Sequence, residues 1–310
     1  MIDHRLATLR AFALCGTVSA TAELVGASAS TVSTHLRELQ REFGVKLVTK
    51  DGRGLRLTSA GRRLVTGSDA LVEAWERIRA DVLRGEQQGP IAFGIGGFST
   101  AAANLLAPLA GHLRETQAGA RVHVIEADPE RCLELLAAER LDLALVIAAQ
   151  ATVTNERDDR FDQVSLFDDP LDVMMPTWHT LASRKVVTLR ELAREDWITD
   201  QRGGPYRALF TAAFTAAGVT PRIAHEAVEW ETAIALVGAG MGMGLVPRLM
   251  RVEGFENVVR VGLSGPERPS RRVLAVVRRG SMDAPLVQES LRFLNRRVRE
   301  VLAHRRAVTA

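Results

Sequence analysis

The stretch Thr17–Leu39, TVSATAELVGASASTVSTHLREL, decides how the N-terminal region folds. Thr17 and Ser19 offer hydroxyls to cap a helix over about residues 20–25. Gly26-Ala27-Ser28 then forms a tight turn, and Ser28 is placed to cap the next helix. In that helix Val32, Leu36, Leu39 and Phe43 follow one another at steps of four, three and four, which defines a buried stripe. The opposite face carries Ser30, Ser33, Thr34 and Arg37, all able to hydrogen-bond. Upstream, Leu6, Leu9, Phe12 and Ala13 recur at helical spacing and Gly16 closes the helix. Two helices joined by a short glycine turn, the second with a polar outer face near its start, make a helix-turn-helix. The second helix of that motif enters the major groove, whose width and donor–acceptor pattern suit it. The groove-facing candidates are Ser28, Ala29, Ser30, Thr31, Ser33, Thr34, His35 and Arg37, with His35 a phosphate or base contact or simply surface.

Working outward, Val45–Lys50 and Arg53–Thr58 flank Asp51-Gly52, a strong hairpin signal because both turn residues tolerate positive φ. The hairpin is a wing offering Lys46, Lys50, Arg53 and Arg56 to phosphates. From Leu36 to Arg63 there are eight bases against three acids, a local excess in a chain of net charge only +3. Thr58 or Ser59 then caps a long helix running to about Arg84. Leu64, Ser68, Leu71, Trp75, Ile78 and Val82 form a heptad seam interrupted at Ser68. Self-association through this seam is expected, although packing against the rest of the same chain gives the same pattern. Residues 85–90 read as a polar linker.

These residues carry a resemblance. Residues 19–47, in particular Thr21-Ala22-Glu23, Ser28, Thr31-Val32-Ser33, Leu36, Leu39, Phe43-Gly44-Val45 and Leu47, resemble the helix-turn-helix signature of LysR-type transcriptional regulators. Leu57-Thr58-Ser59-Ala60-Gly61 is similar to the family's Leu-Thr-x-Ala-Gly at the start of the linker helix. Two positions depart from it: Ala29 stands where a polar residue is common, and Thr34 where a basic one is usual. Groove placement carries over. The base sequence read does not, and Ala29 offers an apolar contact such as one to a thymine methyl.

From Ile91 the pattern changes to alternating strands and helices, which implies parallel sheets with covering helices. Two such sets, with Leu141-Asp142-Leu143-Ala144 and Gly238–Pro247, resemble the periplasmic-binding-protein-like effector domain of the family. The expected fold is therefore an all-α winged helix-turn-helix domain over 1–58, a dimerising linker helix and hinge over 59–90, and an α/β two-lobed effector domain over 91–310. Lobe I is expected at about 91–160 and 268–304, and lobe II at about 161–267. Strands are expected at Gln163–Phe167 and Leu171–Met175, and helices at Asn104–Glu115 and Leu189–Ala193, among others.

Ligands of open α/β sheets bind beyond the carboxyl ends of the strands, here the cleft between lobes. Ser99 and Thr100 follow the first strand and, by resemblance, contribute to the effector site, with plain helix capping as the alternative. Asp200 and Arg202 follow a strand of the second lobe, and Glu231 opens a helix. Arg202 suits an anionic effector and Glu231 a cationic one, so the charge of the small molecule stays open.

The seven histidines are scattered without metal-ligand spacing, and no nucleophile elbow, Cys-x-x-Cys or phosphate loop is present, so neither catalysis nor a metal or cofactor is implied. Cys15 and Cys132 read as buried reduced thiols. No apolar run reaches the ~18 residues of a membrane span, and a cytoplasmic location is expected. The resemblance implies promoter DNA, a small-molecule effector and further copies of the chain as partners, in a dimer through the linker helix and then a tetramer; RNA polymerase is a further candidate. The competing reading is a solute-binding module whose helix-turn-helix is vestigial or binds protein.

Overall fold

A computed structural model describes residues 3–52, 54–84, 91–117, 119–148, 158–201, 204–252, 254–265 and 268–308. The N-terminal head comprises α1 (His4–Cys15), α2 (Val18–Val25), α3 (Ala29–Phe43) and the hairpin β1 (Val48–Asp51) and β2 (Gly54–Leu57). α4 (Ser59–Val82) follows. Each boundary has a local cause. Asp3, Thr17, Ser28 and Thr58 cap the four helices through side-chain oxygens, and Gly16, Gly26 and Gly44 close the first three at positive φ. Leu9, Phe12, Ala22, Val32, Leu36, Leu39, Leu47 and Val48 form the core of the head.

The chain divides into two compact units, one drawn from the described parts of residues 1–146, 151–165 and 274–294, the other from 147–150, 166–273 and 295–310. The first holds the head, α4, β3 (Ile91–Gly97), α5 (Ser99–Ala101), a π-helical turn (Ala102–Leu106), α6 (Ala107–Thr116), β4 (Ala120–Glu126), α7 (Pro129–Ala137) and most of β5 (Leu143–Ile147). β4, β3 and β5 are parallel neighbours in that order. The second holds β7 (Val186–Val187), β8 (Asp196–Thr199), α8 (Pro205–Ala216), β9 (Arg222–Glu226), α9 (Trp230–Gly238), β10 (Met243–Pro247) and β11 (Val258–Leu263). β10, β8 and β9 are parallel neighbours. Fully buried Trp197, Phe210 and Phe214 centre the core there. Two strands, β6 (Phe161–Pro176) and β12 (Ser270–Arg278), carry residues of both units, and α10 (Pro285–Val308) ends the chain.

Three local expectations change. Gln163–Phe167 and Leu171–Met175 are one strand, β6, running through Pro170. The proline costs only the bond its missing N–H would make; its carbonyl accepts from Arg248 N at 2.8 Å and Leu171 N donates to Pro269 O at 2.9 Å. Leu189–Ala193 forms successive i to i+3 turns. There Glu191 folds back onto Thr188 N at 2.7 Å. The helix expected from Asn104 starts at Ser99 and contains the π-helical turn.

Candidate DNA-reading surface and effector lobes

α3 has one apolar and one polar face because its stripe of Val32, Leu36 and Leu39 is buried in the head, whereas Phe43, expected to continue the stripe, is exposed at the end of the helix. Ala29, Ser30 and Arg37 are exposed, and Thr31, Ser33 and Thr34 are half-buried. Ser28 accepts from Thr31 N at 3.1 Å, and its Oγ lies 2.7 Å from Ser30 Oγ and 2.8 Å from Thr31 Oγ1. Ser33 Oγ donates to the Ala29 carbonyl at 2.9 Å. The hydroxyls near the helix start thus form a cluster held in place before any ligand arrives.

His35 is turned toward α1. Thr8 Oγ1 donates to the His4 carbonyl at 2.8 Å, so at 2.9 Å it accepts from Nδ1–H of His35. The His4 and His35 rings meet edge to face at 4.6 Å. Burial, then the neighbouring His4, lowers the His35 pKa.

Beside α3 the hairpin presents Lys50 and Arg56 to solvent. Among the described residues Arg56 makes only a long 3.8 Å ion pair with Asp51. Arg53 lies outside the described residues. An open groove between α3 and the hairpin is lined by Ser33, Arg37, Arg41, Lys46, Thr49 and Lys50, among others. Two fixtures set its shape, the first of them without any local signal in the chain. Gln40 Oε1 accepts from Leu47 N at 3.0 Å and Val48 N at 3.2 Å, which pins the hairpin to the end of α3. Thr58 caps α4 and donates to the Lys46 carbonyl at 2.7 Å. Beside it, a Cβ at Gly61 would lie 2.2 Å from the Leu47 carbonyl oxygen, so only glycine lets α4 start against the hairpin.

The heptad seam of α4 splits into two parts. Ser68 is buried and, donating to Val65 O at 2.6 Å, accepts from Arg10 Nη1 at 2.6 Å, which also pairs with Asp69 at 2.6 Å. The polar break in the seam is therefore where α1 fastens to α4. Leu71, Trp75, Ile78 and Val82 are exposed by 47%, 38%, 55% and 65%, an apolar stripe that this chain alone leaves uncovered.

Farther along α4 the face turned inward is ionic. Buried Glu76 accepts from Arg278 Nε at 2.7 Å, while Arg278 Nη2 donates to Asp142 at 2.7 Å and Nη1 to the Leu141 and Leu136 carbonyls. Arg279 reaches Glu73 at 3.4 Å, and a Cβ at the adjoining Gly280 would lie 2.6 Å from the Glu73 carbonyl oxygen. The end of β12 thus grips α4 through three consecutive residues, none of which was singled out from the sequence.

In the effector region, Gly97 and Glu126 end β3 and β4 in register, so Ser99 lies beyond the carboxyl edge of that sheet. Ser99 is exposed and Thr100 buried. Thr199 and Glu226 end β8 and β9 in register in the other unit, which places Asp200 and the start of α9 beyond that edge. Asp200 already has partners: Tyr206 N donates to it at 3.0 Å and Thr199 Oγ1 at 3.4 Å. Burial raises the Asp200 pKa despite these bonds. Glu231 is exposed in the first turn of α9. Arg202 lies outside the described residues.

A model of the LysR substrate binding domain matches residues 84–299, and one of the bacterial regulatory helix-turn-helix protein, lysR family, matches residues 4–62. The chain belongs to the LysR family. As a LysR regulator it is a DNA-binding transcriptional regulator with an effector-binding domain. It is 29% identical to the HTH-type transcriptional regulator TtuA of Agrobacterium vitis over 73% of this chain and 74% of that protein. It is 26% identical to the Hca operon transcriptional activator HcaR of Escherichia coli over 91% and 93%. A full-length OxyR variant from Pseudomonas aeruginosa shares its fold with a TM-score of 0.66 at 19% identity, covering 96% of this chain and 98% of that one. CbnR complexed with its target DNA does so with a TM-score of 0.57 at 18% identity, covering 94% and 98%.

Neither cysteine of this LysR regulator has a reactive setting. Both are free; burial pushes the Cys132 thiol up to about 12, and Cys15, half-buried, is raised too, burial first. Among the described residues no helix is long and apolar enough to cross a membrane.

Proposed function

We propose that this regulator reads promoter DNA with α3 in the major groove and the β1–β2 wing on the backbone, in the cytoplasm, under control of a small molecule held between the two effector lobes. The observation that carries the reading is the adjacency, in one head, of the exposed polar face of α3 to the exposed cations Arg37 and Lys50, with exposed Arg56 on the neighbouring strand of the wing. Base contacts come from Ser28, Ala29, Ser30, Thr31, Ser33 and Thr34, and phosphate contacts from Arg37, Lys50, Arg53 and Arg56. His35 supports the helix from behind.

Two chains pair through the stripe Leu71, Trp75, Ile78 and Val82, so that two heads address two half-sites, and dimers associate into tetramers. The effector contacts Ser99 and Thr100 in one lobe and Asp200, Arg202 and Glu231 in the other. It shifts the regulator only by binding the two lobe arrangements with different affinities. Because β12 belongs to both units and its end holds α4 through Arg278 and Arg279, a change in lobe disposition has a continuous route to the linker helix, along the strand and then through these ion pairs. RNA polymerase is the partner through which such a shift alters transcription.

The test is binding of the purified full chain to the DNA upstream of its own gene and to random DNA of equal length. Tight binding to the upstream fragment alone supports a regulator of its own promoter. Equal or negligible binding to both moves the reading to a distant operator or to a solute-binding module.

A further inference from the structure

The unit that holds the head also holds a contact between the head and the effector lobe that the DNA-reading account does not use. α7 packs on α1, and Cys15 on α1 lies within reach of the charges of Glu134 and Arg131 on α7. Just after α7, Arg140 sends its side chain to the turn before the recognition helix. Its Nη1 donates to the Leu24 carbonyl, at the end of α2, at 3.1 Å. A Cβ on Gly26 would lie 2.9 Å from that same nitrogen, so Gly26 both closes α2 at φ +69° and leaves room for the guanidinium. A cation at a helix C-terminus also meets the negative end of the dipole.

The backbone that carries Arg140 is held firmly. Glu139 takes a left-handed φ of +58°, a conformation usually left to glycine, and Arg140 N bonds to Leu135 O at 2.8 Å as the chain leaves α7. A Cβ at Gly94 would lie 2.5 Å from the Arg140 carbonyl oxygen, so β3 backs directly onto this residue. The next two residues, Leu141 and Asp142, are those Arg278 grips together with Glu76 of α4. A continuous path of contacts thus runs from the end of β12 and the linker helix, through 140–142, to the turn that launches α3.

We propose that Arg140 is a latch that docks the DNA-reading head onto the effector lobe of its own chain and thereby opposes DNA binding until it lets go. While the bond is made, the direction of α3 is set by the lobe. On DNA, the heads of a dimer must take the direction and spacing that two half-sites impose. A head that has to undock first binds with an affinity reduced by the fraction of molecules that are undocked. The inference rests on the reading that the head binds DNA, and the experiment separates the two.

The full chain and its Arg140→Ala, Arg140→Glu and Arg140→Lys variants are compared by hydrogen exchange of the amides of residues 24–31 and by affinity for the upstream DNA fragment. The latch predicts faster exchange in 24–31 for Arg140→Ala, faster still for Arg140→Glu, and near wild-type behaviour for Arg140→Lys. It also predicts DNA binding about 3- to 5-fold tighter for Arg140→Ala, in keeping with the loss of one part-buried hydrogen bond whose charge is screened by solvent. Unchanged exchange overturns the docking whatever DNA does. Faster exchange with equal or weaker DNA binding also overturns the latch, because Arg140 is then a cap on α2 and nothing more. If the wild-type chain does not bind the fragment specifically, the reading of its own promoter as the operator fails, and exchange alone decides whether the head is docked.

Discussion

Arg278 and Lys50 are both basic side chains of the same unit, yet they stand in opposite physical situations. Arg278 is 4% exposed and every direction of its guanidinium is used, on Glu76, Asp142 and two carbonyls. Lys50 stands in water on the wing, and among the described residues neither it nor Arg37 has an ion-pair partner. A buried cation needs all its partners, because desolvation is repaid only by complete pairing. An exposed cation contributes little to stability but keeps its charge available for phosphate, where releasing counterions gives affinity. The local basic excess of the first domain and the arginines of the β12 end are therefore different things, although a count of charges merges them.

The largest effect is expected at Arg278. Arg278→Ala takes its nearest cation from buried Glu76 and half-buried Asp142, leaving them only the longer contacts with Arg79 at 3.9 and 3.7 Å, and is expected to cost about 3–5 kcal/mol, measured by urea unfolding of the full chain. A loss below ~1 kcal/mol would mean that water replaces the guanidinium freely. Next in size, Gly61→Ala drives a methyl group into the Leu47 carbonyl and is expected to destabilise by about 1–3 kcal/mol while weakening DNA binding, since it shifts the wing against α4. Lys50→Ala should leave stability within about 0.5 kcal/mol of wild type while weakening binding to specific and random DNA alike.

The smallest effect lies at Asp3, whose carboxyl caps α1. The hydrogen bond from the Arg5 side chain, more than any other contact, lowers its pKa from 3.8 to about 2. A depressed carboxyl pKa stabilises the fold above the unfolded value and stops doing so as pH falls from about 4 to about 2. Wild type should therefore exceed Asp3→Asn in stability by only ~0.3 kcal/mol at pH 5, after solvent screening. Thermal melts should show that gap closing below pH 3; a gap that persists there would place the effect in the cap bond and not in the charge.

The head was legible because its signals are local. Caps at Ser28 and Thr58, closing glycines and the stripe Val32–Leu36–Leu39 each act within a few residues, so the chain order alone reveals them. The Asp51-Gly52 turn is equally local. Ser68 looked like a flaw in the heptad because its partner, Arg10, is 58 residues away. The same holds for Gln40 on the wing, Arg278 on Glu76 and Arg140 on Leu24, which are separated by 7, 202 and 116 residues. His35 was legible as a residue of the recognition helix but not in its direction, which Thr8 and His4 set from another helix. For the effector residues, strand ends were predictable from alternation, while the prior engagement of Asp200 with the start of α8 was not.

The most direct test of the account is the salt dependence of binding to the upstream fragment, for wild type and for a Lys50→Ala, Arg56→Ala double variant. If the wing holds phosphates, the logarithm of the binding constant falls steeply and linearly with the logarithm of salt concentration, and the double variant lowers that slope by about 2 for each bound head, about 4 for a dimer on two half-sites. A slope that the double variant leaves unchanged would contradict the assignment of the exposed cations to the DNA backbone.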